Sequence, residues 1–329
     1  MTPSAQELAL IDRWQRNFPL VARPFAAAGA PLGLDEAATV ETFRNLQEAG
    51  VISRIGAVIT PRTVGASTLA AMRVPPERLA EVAAQVNAER GVNHNYERTH
   101  AFNLWFVVTA PDTDTMAQTL ARISEQTGLA VLDLPLLRAY HIDLGFPLSG
   151  ERKHEPVPRQ IPADGAPDVL DRALLAAIEN GLPFVVRPYG DVAGRIGIAE
   201  NDLIGRLQRL IACGIVSRLG CVVRHRALGY MANAMAVWDL PDDRIDAIAG
   251  MFVRDSRISL CYRRPRRLPD WPYNLFCMVH AKTREQARAI IQSLNHSAGT
   301  EDRPQHVLFS TRCFKQRGAS YFHGAGGLH

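Results

Sequence analysis

Gly50-Val51-Ile52-Ser53-Arg54-Ile55-Gly56 returns further along the chain as Gly214-Ile215-Val216-Ser217-Arg218-Leu219-Gly220, at an offset of 164 residues. The same offset carries Asn17-Phe18-Pro19-Leu20-Val21-Ala22-Arg23-Pro24-Phe25 onto Gly181-Leu182-Pro183-Phe184-Val185-Val186-Arg187-Pro188-Tyr189, and Arg62 and Gly65 onto Arg226 and Gly229. Further on, Tyr96 matches Tyr262 at 166, and Asn103-Leu104-Trp105-Phe106 matches Asn274-Leu275-Phe276-Cys277 at 171. Matches that keep their order while the offset grows slowly mark two copies of one unit with small insertions between them. Such a chain is most simply a fused dimer.

Around the repeated stretch, each unit opens with helical patterning. Leu8, Ile11, Trp14 and Phe18 fall at helical spacing, and a short segment over 23–28 ends at Gly29-Ala30-Pro31-Leu32-Gly33. Asp35 is placed to cap a helix running to about residue 49, with Val40, Phe43 and Leu46 on its apolar stripe and Gly50 closing it. Residues 51–59 then read as a strand, giving a winged helix-turn-helix, repeated over 173–223. The remainder of the first unit alternates: strand 56–74, helix 76–90, strands 92–98 and 101–110, helix 112–128, and a strand ending 129–146. That order, βαββαβ, is the ferredoxin-like arrangement. The expected fold class is α+β, a tandem duplication of a winged helix-turn-helix followed by a ferredoxin-like domain. Its boundaries are 1–56 and 57–146 for the first copy, then 168–220 and 221–317 for the second. Residues 147–167 carry five prolines, two glycines and no periodicity, the composition of a linker, and the Gly-rich 318–329 reads as a partly loose tail.

No run of 18 apolar residues is present, and the N-terminus has no basic and apolar leader, so neither a membrane span nor a secretory signal is expected. The five cysteines, Cys213, Cys221, Cys261, Cys277 and Cys313, form no CxxC pair. This argues against a disulfide framework, a zinc knuckle or a cysteine-bound cluster, and for small core residues in a reducing cytoplasm. Met72, Met231 and Met235 sit at apolar spacing and also read as core. Charge is uneven. Residues 1–150 hold 12 Arg and no Lys against 15 acidic residues, a balance of −3, and residues 151–329 hold 25 basic and 18 acidic residues, a balance of +7. The second half is therefore the better candidate for holding an anion. The helix in the recognition position of the first unit bears Asp35, Glu36, Glu41 and Glu48 against Arg44. Phosphate repels such a helix, so DNA is not an expected partner.

The chemically dense stretch is Asn93-His94-Asn95-Tyr96-Glu97-Arg98-Thr99-His100, which leads into the buried-strand pattern Asn103-Leu104-Trp105-Phe106-Val107-Val108. Polar groups beside a hydrophobic strand can be held rigidly and still be reached, though a solvated hairpin has the same composition. Arg23-Pro24-Phe25, residues 50–56, Asn93-His94-Asn95-Tyr96-Glu97-Arg98 and Asn103-Leu104-Trp105-Phe106 together resemble the siroheme decarboxylases, a branch of the Lrp/AsnC-like architecture. The fused duplication is similar to that family's D–L type, and the resemblance covers nearly the whole chain outside the linker and tail. It implies removal of the C12 and C18 acetate carboxyls of siroheme to give 12,18-didecarboxysiroheme, in d1-type haem biosynthesis. It implies no cofactor beyond the iron tetrapyrrole substrate, and either paralogous G/H-type subunits or self-association as partners.

A siroheme substrate carries eight carboxylates around a flat ring, for which guanidinium groups are the fitting partners. The methylene left by departing CO2 must be protonated, a task for a histidine. The resulting catalytic assignment gives His94 and His100 acid–base or iron-proximal work, with Tyr96 as a hydrogen-bond donor nearby and His141 as a third polar candidate on the last strand, and gives Arg98 and Arg138 to carboxylates. In the second copy, Leu260-Cys261 replaces His94-Asn95, Tyr262 is kept, and Arg263 and Arg264 follow. With Arg312 and Lys315, that copy is expected to grip carboxylates without a protonating group, leaving one active site. His141 as a surface histidine, Arg98 as a salt-bridge partner of Glu97 or Glu89, and the second copy's arginines as a solvated basic loop are the plainer alternatives. Two other functions stay open on this fold: a haem-responsive transcription regulator and a non-catalytic tetrapyrrole-binding subunit.

Overall fold

The computed structural model describes residues 3–142 and 166–322. Most of the expected linker and the end of the expected tail thus lie outside the described residues. The first copy runs α1 (Ala5–Trp14), α2 (Pro24–Gly29), α3 (Glu36–Glu48), β1 (Ile52–Ile59), β2 (Ala66–Met72), α4 (Leu79–Ala88), β3 (Val92–Arg98), β4 (Leu104–Ala110), α5 (Thr113–Thr127), β5 (Leu132–Pro135) and β6 (Arg138–Ile142). The second runs α6 (Val169–Ala177), α7 (Pro188–Ile196), α8 (Glu200–Ala212), β7 (Val216–Val223), β8 (Ala232–Trp238), α9 (Ile245–Phe252), β9 (Ile258–Arg263), β10 (Leu275–Ala281), α10 (Arg284–Ala298) and β11 (Gln305–Gln316). No helix among the described residues is long and apolar enough to cross a membrane.

The chain divides into two compact units, residues 1–64 with 145–228, and residues 65–144 with 229–329. The expected single strand over 56–74 is broken between β1 and β2, where the sequence passes from one unit to the other. In the first unit, the Asp35 side chain accepts from the Ala38 N–H at 2.7 Å and starts α3, and Gly50 at φ +71° ends it. Phe18 meets Phe25 and Phe43 edge-on at 5.6 and 6.1 Å, and Phe25 and Phe43 lie tilted at 5.9 Å, forming its core. The two repeated strands pair with each other: β1 and β7 run antiparallel with Gly56 opposite Gly220. The wing expected within each copy is thus a ribbon shared by both. At Gly220 a Cβ would fall 2.5 Å from the Trp14 carbonyl oxygen, which accounts for glycine there.

The second unit holds a nine-stranded sheet in the order β5-β2-β4-β3-β11-β8-β10-β9-β6. The two ferredoxin-like halves exchange the ends of their last strands. Residues 305–309 of β11 pair with β8 of their own copy, and residues 310–316 pair with β3 of the other. Likewise β5 pairs with its own β2, while β6 pairs with β9. Each half packs one sheet face on its helices, through clusters around Phe106 and around Trp238. A third cluster, with Trp105, Trp271, Phe276 and Leu308, fills the space between the sheet faces. Burial on both faces explains the unbroken run from Leu104 to Val108: Leu104, Phe106 and Val108 face the helices and Trp105 faces the opposite sheet. Each such side chain contributes roughly 1.5–3 kcal/mol on burial. Of the residues read as core, Met72 and Met235 are buried but Met231 is exposed, and Cys313 is also exposed. Tyr321, in the expected loose tail, is buried at 4% exposure.

Candidate active site

Side chains alternate along β3, so the dense polar stretch is split between two faces. Asn95 lies opposite Phe106, and its Nδ2 donates to Asn87 Oδ1 of α4 at 3.0 Å; it belongs to the helix face. Tyr96 lies opposite Trp105 and faces the core between the sheets, with His94 and Arg98 on the same side. His94 Nδ1 stands 3.4 Å from the Tyr96 hydroxyl, and the two rings are stacked at 6.0 Å.

Arg98 is 6% exposed. Its Nη1 donates to the Leu308 carbonyl at 3.0 Å, and the guanidinium lies 5.7 Å from the Tyr96 ring centre. Burial pulls its pKa down to about 10, with the Tyr96 phenol opposing the shift. No salt bridge holds it among the described residues, and its Nε is buried without a hydrogen-bond partner. The second copy repeats this arrangement. Arg264 Nη1 donates to the Leu134 carbonyl, the guanidinium lies 5.2 Å from the Tyr262 ring centre, and burial again pulls the pKa to about 10. Its Nε too is buried without a partner. Each arginine thus bonds a carbonyl from the other copy's last strands and leaves its Nε unbonded. Withdrawing a guanidinium from water is costly, and the Asp133 carboxylate offsets part of that cost at Arg264.

The other candidate residues are distributed by the exchange of strand ends. His100 is not beside His94. It follows the far end of β3, about 13 Å from His94 at ~3.3 Å per residue, against Phe102, Trp271 and His306. Its Nδ1 accepts the Phe102 N–H at 3.0 Å, and burial, His306 and Arg73 hold its pKa down at about 4. Arg138 and His141, expected in the first-copy site, stand on β6 beside β9 of the second copy, with His141 opposite Cys261. Arg138 pairs with Asp246 of α9 at 2.6 Å, and Tyr140 bonds the same carboxylate. Arg312 and Lys315 stand beside β3, opposite Glu97 and Asn95. Arg312 covers the Phe314 ring at 4.8 Å, and Lys315 Nζ donates to the Asn87 carbonyl at 2.6 Å, with burial lowering its pKa. Arg263 pairs with Asp242 at 2.8 Å. Thus His94, Tyr96, Arg98, Tyr262 and Arg264 face the space between the sheets, while Arg138, Arg263, Arg312 and Lys315 are engaged on the helix faces.

The asparagine that opens Asn103-Leu104-Trp105-Phe106 has a structural part that the motif alone did not disclose. Its side chain donates to the Val74 carbonyl at 2.8 Å and accepts from the Val74 N–H at 2.9 Å. Asn274 does the same to Leu240, at 2.8 and 3.0 Å.

Comparison with known proteins bears on what this arrangement serves. The profile of the AsnC-like ligand binding domain matches residues 64–141 and again 227–315. That of the siroheme decarboxylase NirDL-like HTH domain matches 7–52 and 171–216. The siroheme decarboxylase NirDL subunit of Paracoccus denitrificans (strain Pd 1222) is 45% identical over 324 residues, 97% of this chain and 98% of that one. The chain belongs to the siroheme decarboxylase family. Family members include separate NirD and NirL subunits of Stutzerimonas stutzeri, 51% and 46% identical over 139 and 144 residues, which are 42% and 44% of this chain and 91% and 85% of their own lengths. This accords with a fusion of two siroheme decarboxylase units. The fold matches the crystal structure of the siroheme decarboxylase NirDL in co-complex with an iron-uroporphyrin III analogue, with a TM-score of 0.68 at 28% identity over 96% of this chain and 93% of that one.

Proposed function

We propose that this chain is a carboxy-lyase acting on siroheme, removing the C12 and C18 acetate carboxyls to give 12,18-didecarboxysiroheme for d1-type haem. The observation that carries the reading is the pair of buried arginines, Arg98 and Arg264, each in no salt bridge among the described residues, each with its Nε unbonded and each beside a tyrosine on the face between the sheets. At each acetate the C–CO2 bond breaks, its electron pair stays on the methylene carbon, and one proton adds there: –CH2–COO⁻ and H⁺ become –CH3 and CO2. The step is redox-neutral, so the iron tetrapyrrole is substrate and no further cofactor is needed. Arg98 and Arg264 hold carboxylates. His94 supplies the proton, with the Tyr96 hydroxyl 3.4 Å from Nδ1 setting its ring. A positioned acid of this kind contributes about 10²–10⁴-fold. Arg138, Arg263, Arg312 and Lys315, engaged elsewhere, have no substrate role in this scheme.

The reaction would proceed in the cytoplasm, alone or with paralogous subunits. The regulator reading is weaker because α3 is acidic and its arginine, Arg44, already pairs with Glu41. Anaerobic incubation of the purified chain with siroheme, followed by mass spectrometry, is the direct test. Loss of two CO2 masses supports the proposal. Unchanged siroheme, whether the chain is alone or joined by paralogous subunits, counts against it.

A further inference from the structure

β11 changes partner at Ser310. Residues up to Phe309 pair with β8, and from Ser310 onward the strand pairs with β3, with Ser310 opposite Arg98. Cross-strand partners carry their side chains on the same side of a sheet, with Cβ atoms about 4.5–5.5 Å apart. Alternation along β11 gives the same direction. Leu308 belongs to the core between the sheets and Phe309 to the helix side, so Ser310 returns to the face between the sheets. It shares that face with Arg98, Tyr96 and His94.

Both members of this pair are buried, Ser310 at 7% and Arg98 at 6% exposure. The Ser310 Oγ and the Arg98 Nε are each shut off from water, and neither makes a hydrogen bond among the described residues. A buried hydroxyl left unbonded destabilises a fold, and an alanine in its place would remove that cost. Two unfilled donors side by side, one of them cationic, fit a single anionic acceptor with two oxygens. A carboxylate is such a group, taking one bond from the Nε–H and one from the hydroxyl.

The second copy is equipped differently. Arg264 bonds the Leu134 carbonyl as Arg98 bonds that of Leu308. Two residues further on, Leu136 therefore stands in the place of Ser310, and a leucine offers no hydrogen bond. The paired arginine and hydroxyl occur in the copy that also carries His94. Bonds to a carboxylate favour its charged oxygens, and that charge leaves them as the C–CO2 bond breaks, so a group held in this way resists decarboxylation. The pair accordingly suits a carboxylate that the reaction leaves in place. His94 lies four residues from Arg98, about 13 Å along β3 at ~3.3 Å per residue. A ligand that meets both is broad, as a tetrapyrrole with carboxylates around its rim is.

We propose that Ser310 is a substrate-binding residue whose hydroxyl joins the Arg98 Nε–H in anchoring one retained carboxylate of siroheme, and that this anchor sets which acetate reaches His94. This rests on the siroheme reading above.

The test uses the full chain under anaerobic conditions with siroheme as the probe. Affinity is read by rapid-mixing absorbance titration before turnover, for wild type, Ser310→Ala, Arg98→Met and the double variant. Ser310→Ala is expected to bind about ten- to hundredfold more weakly, the range of one hydrogen bond to a charged group, with a melting temperature equal to or above that of wild type. The double variant is expected to lose less than the product of the two single losses, because both groups serve one carboxylate. If alanine disturbs the fold, Ser310→Thr and Ser310→Val decide, since they share a shape and differ in the hydroxyl; threonine is expected to bind more tightly. Wild-type affinity in Ser310→Ala, or equal affinity of the threonine and valine variants, overturns the proposal. So do independent losses in the double variant, since the two groups then serve different partners. Wild-type chain that binds siroheme and leaves it intact overturns the functional reading, while the titrations still decide on the anchor.

Discussion

At the residue scale, a buried cation without an anion makes a measurable claim. Arg98 has lost water, gained one carbonyl and no acidic partner. Its retention therefore favours a ligand rather than the fold. Arg98→Met, which keeps an unbranched apolar stem, is expected to leave the melting temperature unchanged or higher while weakening siroheme binding at least tenfold in a spectroscopic titration. A clear fall in melting temperature with unaltered binding would make the arginine a structural strut. His94→Ala is expected to retain fold and binding and to lose roughly 10²–10⁴-fold in turnover; unchanged turnover would remove it from the mechanism. His100 has a consequence for stability. Its pKa falls from 6.5 to about 4 in the folded chain, so between those values the unfolded state binds more protons. Its contribution is complete above pH 6.5 and is lost as pH falls to about 4. The melting temperature of His100→Gln should accordingly fall less than that of wild type over that interval. Parallel curves would refute the assignment.

At the element scale, much was legible because the signals were local. Asp35 and Gly50 bracket α3, and Asp112 and Gly128 bracket α5, each through a cap whose chemistry is written in one residue. The boundaries of β3 were legible for the same reason. Which way its side chains point was not, because the two faces of β3 are both buried and the polar residues sit on both. The repeated asparagine is open to direct test. Asn103→Ala leaves the buried Val74 N–H and carbonyl without partners, at about 1–3 kcal/mol each, so a loss of roughly 2–4 kcal/mol is expected by urea unfolding. Asn103→Asp keeps the acceptor and should cost less. Equal losses would mean that the clamp works by shape alone.

At the scale of the whole molecule, the duplication was plain in the repeated heptads, whereas the exchange of strand ends was invisible. Nothing in the composition of residues 138–142 or 310–316 says which neighbour they will choose, because that depends on edges brought together only by the fold. The consequence is that neither copy is complete. The first lends β6 to β9, and the second lends half of β11 to β3, which places Arg138 and His141 with the second copy and Arg312 and Lys315 with the first. Produced as separate polypeptides, residues 1–150 and 151–329 are therefore expected to copurify as a one-to-one complex. Each half alone exposes the N–H and C=O groups of an unpaired strand, and should self-associate into dimers or larger species in size-exclusion chromatography. Mixing the two would then shift both into the heterodimer, because only that pairing restores the Arg98 bond to Leu308 and the Arg264 bond to Leu134 together. A stable monomeric half, with no gain in melting temperature on adding the other, would show that the exchanged ends are dispensable and that the two units merely lie on one chain.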